Sequence, residues 1–398
     1  MKTIYADNAA TTKMSKTALE AMMPYFTEIY GNPSSLHTPG QEAAEALWQA
    51  REDIAACIGA EAREITFTSG GSEADNQAII SAARSGARKN KKHIISTAVE
   101  HHAVLHTLRR LEKEGFAVTL LDVQPDGSVT PEQVKAAIRP DTCLVTVMFA
   151  NNEIGTVNPI REIGAVCREA KVLFHTDAVQ AVGHLPINVG EMNIDMLSAS
   201  AHKFHGPKGT GFLYAKRGVV LTNVIDGGAQ ERGKRAGTEN IPAIMGMAAA
   251  LKEACANMEE NTAKMIAVRD RLIAGLSEIP KSVLNGSRDH RLPGNVNFCF
   301  EGIEGASILL LLDDTGVCAS SGSACTSGSL DPSHVLLAIG RPHEIAHGSL
   351  RLSVDESVTL EDADYIINAV KQTVEYLRNM SPVWRDLISG KKEFTIKD

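Results

Sequence analysis

The chain predicts an α/β fold, a mostly parallel central sheet covered by helices, with a smaller α+β C-terminal domain. Three observations carry this. Apolar strand-like runs alternate with amphipathic helical stretches from residue 64 onward, the order a parallel sheet requires. After about residue 255 that alternation gives way to a mixture of long helices and isolated strands. The length of 398 residues, 43% of them apolar, suits two domains or one large one. We place a large domain at 15–255. A small one comprises 1–14 and 256–398 and carries a loop at about 319–333.

The elements follow in order. EITFTSG (64–70) runs into the helical SEADNQAIISAARSGA, and HIIST (93–97) into HAVLHTLRRLEKEG. AVTLLDV, CLVTVMFA, VLFHTDA and DMLSASA continue the strand series, and the turn HGPKG reverses the chain into GFLYAK. Beyond these lie the helical MEENTAKMIAVRDRLIAGLSEI, the strand NVNFCF, a helix, GVCAS, the loop, another helix, the strand SLRLSV and a final helix. In such sheets ligands gather at the carboxyl ends of the strands.

Composition excludes some classes. A net charge of −8 gives no electrostatic reason to expect nucleic acid. The longest apolar runs, such as SILLLL at 307–312, are too short to cross a bilayer. MKTIYADNAA has no signal-peptide core, so the expected compartment is the cytoplasm. There are seven cysteines and no CxxC pair. Cys57, Cys167 and Cys255 fall in helical patterns, Cys143 and Cys299 in strands, and Cys318 closes an apolar run; these six read as reduced core residues. Cys325 differs, because it sits in ASSGSACTSGS (319–329), a small-residue stretch that reads as a mobile loop.

Four strand ends carry polar residues that a core would not choose. In FTSGGSEADN a strand enters Gly70-Gly71, and Ser72 and Glu73 open a helix. That is an anion site or an ordinary N-cap turn. Asp177 ends VLFHTDA, where it either pairs with a cation such as a protonated heteroaromatic nitrogen or caps the next helix. Lys203 follows MLSAS directly and is flanked by Ser200 and His202. A desolvated lysine there has a lowered pKa and can form a Schiff base, whereas Lys208 reads as an exposed turn residue. In VEHHAVLH, His102 and His106 stand one turn apart, but no HExxH pattern supports a metal. His101 suits stacking on a flat ligand. Together these describe pyridoxal 5′-phosphate.

The motifs YADNAATT, GNPSSLH, FTSGGSEADN, VEHHAV, ANNEIG, FHTDAVQAVG, HKFHGPKG, RAGTEN, SSGSACTSGSLDPSHV and HGSLRLS run nearly end to end. Through them the chain resembles the NifS/IscS group of cysteine desulfurases, in its long-loop class. The resemblance implies a fold-type I pyridoxal-phosphate-dependent transferase, a cytoplasmic homodimer that removes sulfur from L-cysteine and releases L-alanine. It implies that Lys203 carries the cofactor, Asp177 pairs with its ring nitrogen, and His101 stacks on the ring and carries protons. Asn152 and Gln180 flank the ring. Gly71, Ser72, Ser200 and His202 hold the phosphate, with Thr238 supplied across the dimer. Arg351, with Asn32 and Asn152, binds the substrate carboxylate. Cys325 takes the sulfur as a persulfide and passes it to an iron–sulfur scaffold of the NifU/IscU kind or another acceptor; it is also the residue that can ligate a cluster transiently. No resident metal, nucleic acid or membrane partner is implied. The sequence departs from the family pattern at Ala201, where glycine is usual, at Ser72, where threonine is usual, at Asp355-Glu356, and in a C-terminus without the scaffold-meeting tail. An aminotransferase has no use for Cys325. A selenocysteine lyase remains the alternative, and a non-catalytic scaffold is opposed by Lys203, Asp177 and Cys325 together.

Overall fold

The computed structural model describes residues 2–321 and 332–397. Among them the strands are β1 (Ile4–Tyr5), β2 (Ile65–Thr68), β3 (His93–Thr97), β4 (Ala117–Leu121), β5 (Thr142–Thr146) and β6 (Leu173–Asp177). They continue with β7 (Met196–Ser200), β8 (Gly211–Ala215), β9 (Ser282–Leu284), β10 (Asn295–Phe300), β11 (Val317–Cys318) and β12 (Ser349–Ser353). One seven-stranded sheet has the order β2-β8-β7-β6-β5-β3-β4. Every neighbouring pair from β7 to β4 is parallel, and β8 alone runs antiparallel to its neighbours β7 and β2. The reversal at HGPKG accounts for β8: His205 and Gly209 take φ of 62° and 77° and turn the chain straight back.

The central strands are buried at every position, as a sheet covered on both faces requires. Alternation along β8 shows the two layers. Phe212 and Tyr214 pack with Ile54, Phe174, Phe204 and Leu251 on one face; Leu213 and Ala215 pack with Ile79, Ile94 and Leu108 on the other. The helix Gly71–Ala87 covers the second face with small residues, Ala74, Ala78, Ala82 and Ala83, which let it lie close to the strands.

A second antiparallel sheet, β12-β10-β9, packs on the helices Met258–Ser277 and Leu360–Met380 through Leu272, Phe298, Leu350 and Ile366. Ile4 and Ala6 enter this same core, and β1 pairs in parallel with β11. The short β9, half-buried and only three residues long, has no periodic signature and was not anticipated. A junction of Val99, Met148, Ile154, Cys299, Leu336 and Ile345 joins the two units and brings Arg351 of β12 to the carboxyl ends of the parallel strands.

Candidate active site

The ends of β2, β3, β5, β6 and β7 meet at one cavity of about 330 Å³. At the end of β2, Gly70 has φ 148° and offers no side-chain cap, so the 17-residue helix beginning at Gly71 presents its first amides and its positive dipole end uncapped by any side chain. Gly71 and Ser72 line the cavity there. A Cβ on Gly71 would stand 2.5 Å from Val179 Cγ2, so the backbone approaches as closely as only glycine permits.

At the end of β7, Ser200 lines the cavity and a tight turn over Ala201–Lys203 follows. Thr12 donates its N–H to His202 O at 2.9 Å, and His202 Nδ1 meets Thr11 Oγ1 at 3.1 Å. Burial, then the neighbouring Lys203, brings the His202 imidazole down to about 4, so the ring is neutral. Lys203 Nζ donates to Ala9 O at 2.6 Å and to Ala10 O at 2.8 Å, and Gln180 Nε2 donates to the same Ala9 carbonyl at 3.0 Å. The N-terminal segment thus holds the ammonium group at the cavity wall.

Asp177, the last residue of β6, is buried, and its Oδ1 accepts the Val179 N–H at 3.0 Å. Burial raises its pKa, while His101 and Lys203 favour the ionised form. The chain after it makes turns rather than a helix, so this carboxylate caps no helix. His101 is the N-cap of the helix His102–Lys113. Its Nδ1 accepts the Ala103 N–H at 3.2 Å, which leaves the proton of the neutral ring on Nε2. Asn152 lines the cavity beyond β5.

Arg351 is 2% exposed. Its Nη2 lies 2.8 Å from Asp7 Oδ1, its Nη1 donates to Asn152 O at 3.1 Å, and its Nε is buried with no partner among the described residues. Of the expected site residues, ten line this cavity. Asn32 does not: it is exposed, and its Oδ1 accepts the Ser34 N–H within its own turn. Thr238 is exposed and lies outside the cavity lining. Cys325 lies outside the described residues. Its flanks are fixed at the cavity: Ser320 and Arg351 exchange backbone hydrogen bonds of 3.1 and 2.6 Å, and Ser333 donates its hydroxyl to Glu153.

Of the six thiols expected in the core, Cys57, Cys255 and Cys318 are only half-buried, and the other three fit that reading. Cys143, Cys167 and Cys299 are buried, and burial pushes them up to about 11, 12 and 11, which removes nucleophilic thiolate at neutral pH. The rings of His102 and His106 stack at 5.1 Å. Among the described residues the three groups whose ligand atoms lie within 4.8 Å of one another are instead Asp75, His101 and Asp177. Asp7 and Asp75 are the site residues that sequence reasoning missed. Both lie in quoted motifs, and Asp75 follows Gly71 by one helical turn, a spacing that marks it as sharing the cavity face.

Residues 4–366 match the family described as aminotransferase class-V. The chain is 54% identical over 395 residues to a protein of Clostridium botulinum strain Hall named cysteine desulfurase IscS, covering 98% of this chain and 99% of that one. It superimposes on a solved NifS-like protein with a TM-score of 0.88 at 36% identity, covering 94% and 100% of the two chains. A second solved chain, described as SspA in complex with cysteine, aligns with a TM-score of 0.78 at 39% identity, covering 88% and 98%.

Proposed function

The chain belongs to the class-V aminotransferase family and is a cysteine desulfurase, and from that premise we propose that its cavity holds pyridoxal 5′-phosphate and passes the sulfur of L-cysteine to Cys325. The observation that carries this is the convergence of an uncapped helix start, a buried carboxylate, a lysine and an arginine on one cavity. The residues fit the cofactor. The helix start at Gly71, uncapped by any side chain, suits a phosphate, and Ser72, Ser200 and the neutral His202 add polar groups around it. Asp177 suits the ring nitrogen, His101 a ring face, and Asn152 and Gln180 its edges.

When bound, the cofactor supplies an electron sink at the substrate α-carbon. The remaining work falls to side chains. Arg351 binds the L-cysteine carboxylate, and its unpaired Nε is a donor ready for it. Lys203, at the strand end beside the cavity, moves the α-proton. Cys325, as thiolate, forms an S–S bond with the substrate sulfur while the Cβ–S bond breaks. The carbon fragment keeps the electron pair, takes up a proton and leaves as L-alanine. An iron–sulfur scaffold or another thiol acceptor then receives the persulfide.

We also read the separate apolar cores as two domains, 15–255 for the cofactor and 1–14 with 256–398 for the small domain. Among the described residues no helix is long and apolar enough to cross a membrane. A cytoplasmic homodimer is the state we propose, with the partner subunit's Thr238 completing the phosphate site. The test is to treat the purified holoenzyme with L-cysteine, then measure alanine and locate added sulfur by peptide mass spectrometry. We expect alanine and one extra sulfur on the Cys325 peptide; extra sulfur on Cys318, or alanine at the wild-type rate from Cys325→Ser, overturns the proposal.

A further inference from the structure

The mechanism above leaves the Asp75 carboxyl unused, although it lines the same cavity and is only 1% exposed. Asp75 lies one helical turn beyond Gly71, on the face the helix turns toward the strand ends. A chain of polar groups supports it from below. Thr146 Oγ1 meets His175 Nδ1 at 2.8 Å and His175 Nε2 meets Ser198 Oγ at 3.0 Å, with the Ser198 hydroxyl beside the Asp75 carboxyl. Among the described residues Asp75 Oδ1 has no hydrogen-bond partner: His175 Nε2 stands 3.7 Å away, beyond bonding reach. The ligand atoms of Asp75, Asp177 and His101 fall within 4.8 Å of one another.

Two carboxyls this close, buried together, do not both ionise. The surroundings decide which keeps the proton. Asp177 faces the positive or protonatable groups, His101 and Lys203, and accepts a backbone N–H. Burial, and then the neighbouring Asp177, push the Asp75 carboxyl up, and only the Ser198 hydroxyl favours its ionised form. His175 offers it no charge, because burial holds that imidazole down at about 3. Glu100 is itself pushed up to about 8 by burial and adds a neutral acid to the cluster near neutral pH.

We propose that Asp75 is a positioning residue that holds the single proton of a buried Asp75–Asp177 pair, so that Asp177 is the one ionised carboxylate beneath the cofactor ring. The assignment rests on Asp177 serving the ring nitrogen. Without the proton on Asp75, two like charges would lie side by side, and Asp177 would itself tend to take up a proton and lose its charge. With it, one anion faces one cation, and the ring nitrogen stays protonated across the working pH range.

The test is infrared spectroscopy of holoenzyme labelled with [4-13C]aspartate at neutral pH. The label separates aspartic acids from the protonated glutamic acids nearby. We expect an isotope-shifted carboxylic-acid C=O band that disappears in Asp75→Asn, while Asp75→Asn, which copies the neutral acid, retains cofactor absorbance and cofactor affinity. A wild-type spectrum with no such band, or a band that survives in Asp75→Asn, overturns the proposal. The same band read in apoenzyme of Asp177→Asn supplies a second measurement should Asp75→Asn fail to fold. Removing the neighbouring charge should let Asp75 ionise at lower pH, and an unmoved titration overturns the pairing. If instead Asp177→Asn keeps full cofactor absorbance and desulfurase activity, the role given to Asp177 is wrong, and the band still reports on the pair by itself.

Discussion

Arg351 keeps one donor, Nε, buried and unpaired while its other nitrogens hold Asp7 and the Asn152 carbonyl. A carboxylate reaching Nε need displace nothing there. Lysine, a point charge without the planar fork, cannot hold Asp7, Asn152 and substrate together. Arg351→Lys should therefore raise KM for L-cysteine about tenfold to a hundredfold, the loss of a charged hydrogen bond of roughly 1.5–3 kcal/mol, with the cofactor absorbance unchanged. An unaltered KM would assign the substrate carboxylate elsewhere. Glu100 gives a pH prediction of opposite character. Its Oε1 accepts from Thr97 and the Met148 N–H, but burial lifts its pKa from 4.5 to about 8. Between those values the unfolded chain releases the proton and the folded chain keeps it. Stability therefore falls as pH rises through the window, by up to about 1.4 kcal/mol per pH unit. Glu100→Gln has no proton to lose, so its Tm relative to wild type should climb across that window. A constant gap would show that Glu100 ionises normally in the fold.

At the scale of elements, the start of the helix Gly71–Ala87 does the most to shape the site. The β-branched Val179 stands where a Gly71 methyl would go and has little rotamer freedom to yield. Gly71→Ala should weaken cofactor binding at least tenfold while leaving the fold intact, and Val179→Ala in the same chain should restore most of it. Equilibrium dialysis of the cofactor measures both; a single variant that binds normally would mean that the cradle has more room than its geometry indicates. This element was legible in the sequence because its signals are local: an apolar run, two glycines, a serine, then helical spacing. Asp177, Lys203 and His101 stood out for the same reason, each a polar residue at or within four positions of the end of a buried strand. Asp7 was not, because its partner Arg351 lies 344 positions away and no local pattern links them. Asp75 was hidden differently. An acidic residue in the first turns of a helix is ordinary on a surface, and only the fold reveals that this one is buried. Cys325 stood out through composition alone.

For the molecule as a whole, one apolar stretch of the described surface bears on assembly. Leu36, Tyr30, Met23 and Phe26 are 95%, 73%, 57% and 56% exposed within one short stretch, a concentration of apolar area that soluble surfaces rarely leave bare. We attribute it to the dimer. Sedimentation should give twice the chain mass, and Phe26→Asp with Tyr30→Asp should give monomers that retain cofactor poorly; a fully active monomer would sink the shared-site reading. The two fixed flanks of the Cys325 segment carry a different consequence. Ser320 is bonded to the Arg351 backbone and Ser333 to Glu153. Cys325 follows Ser320 by five residues, and an extended chain spans at most about 3.6 Å per residue, so five residues reach at most about 18 Å between α-carbons from that anchor. The proposed nucleophile on so short a tether would meet the substrate at the high effective concentration of an intramolecular reaction. An acceptor, in contrast, must bring its own thiol inside the same radius. Lengthening the segment should dilute the first encounter and relax the demand on the second, so sulfur capture and sulfur delivery respond to tether length in opposite directions.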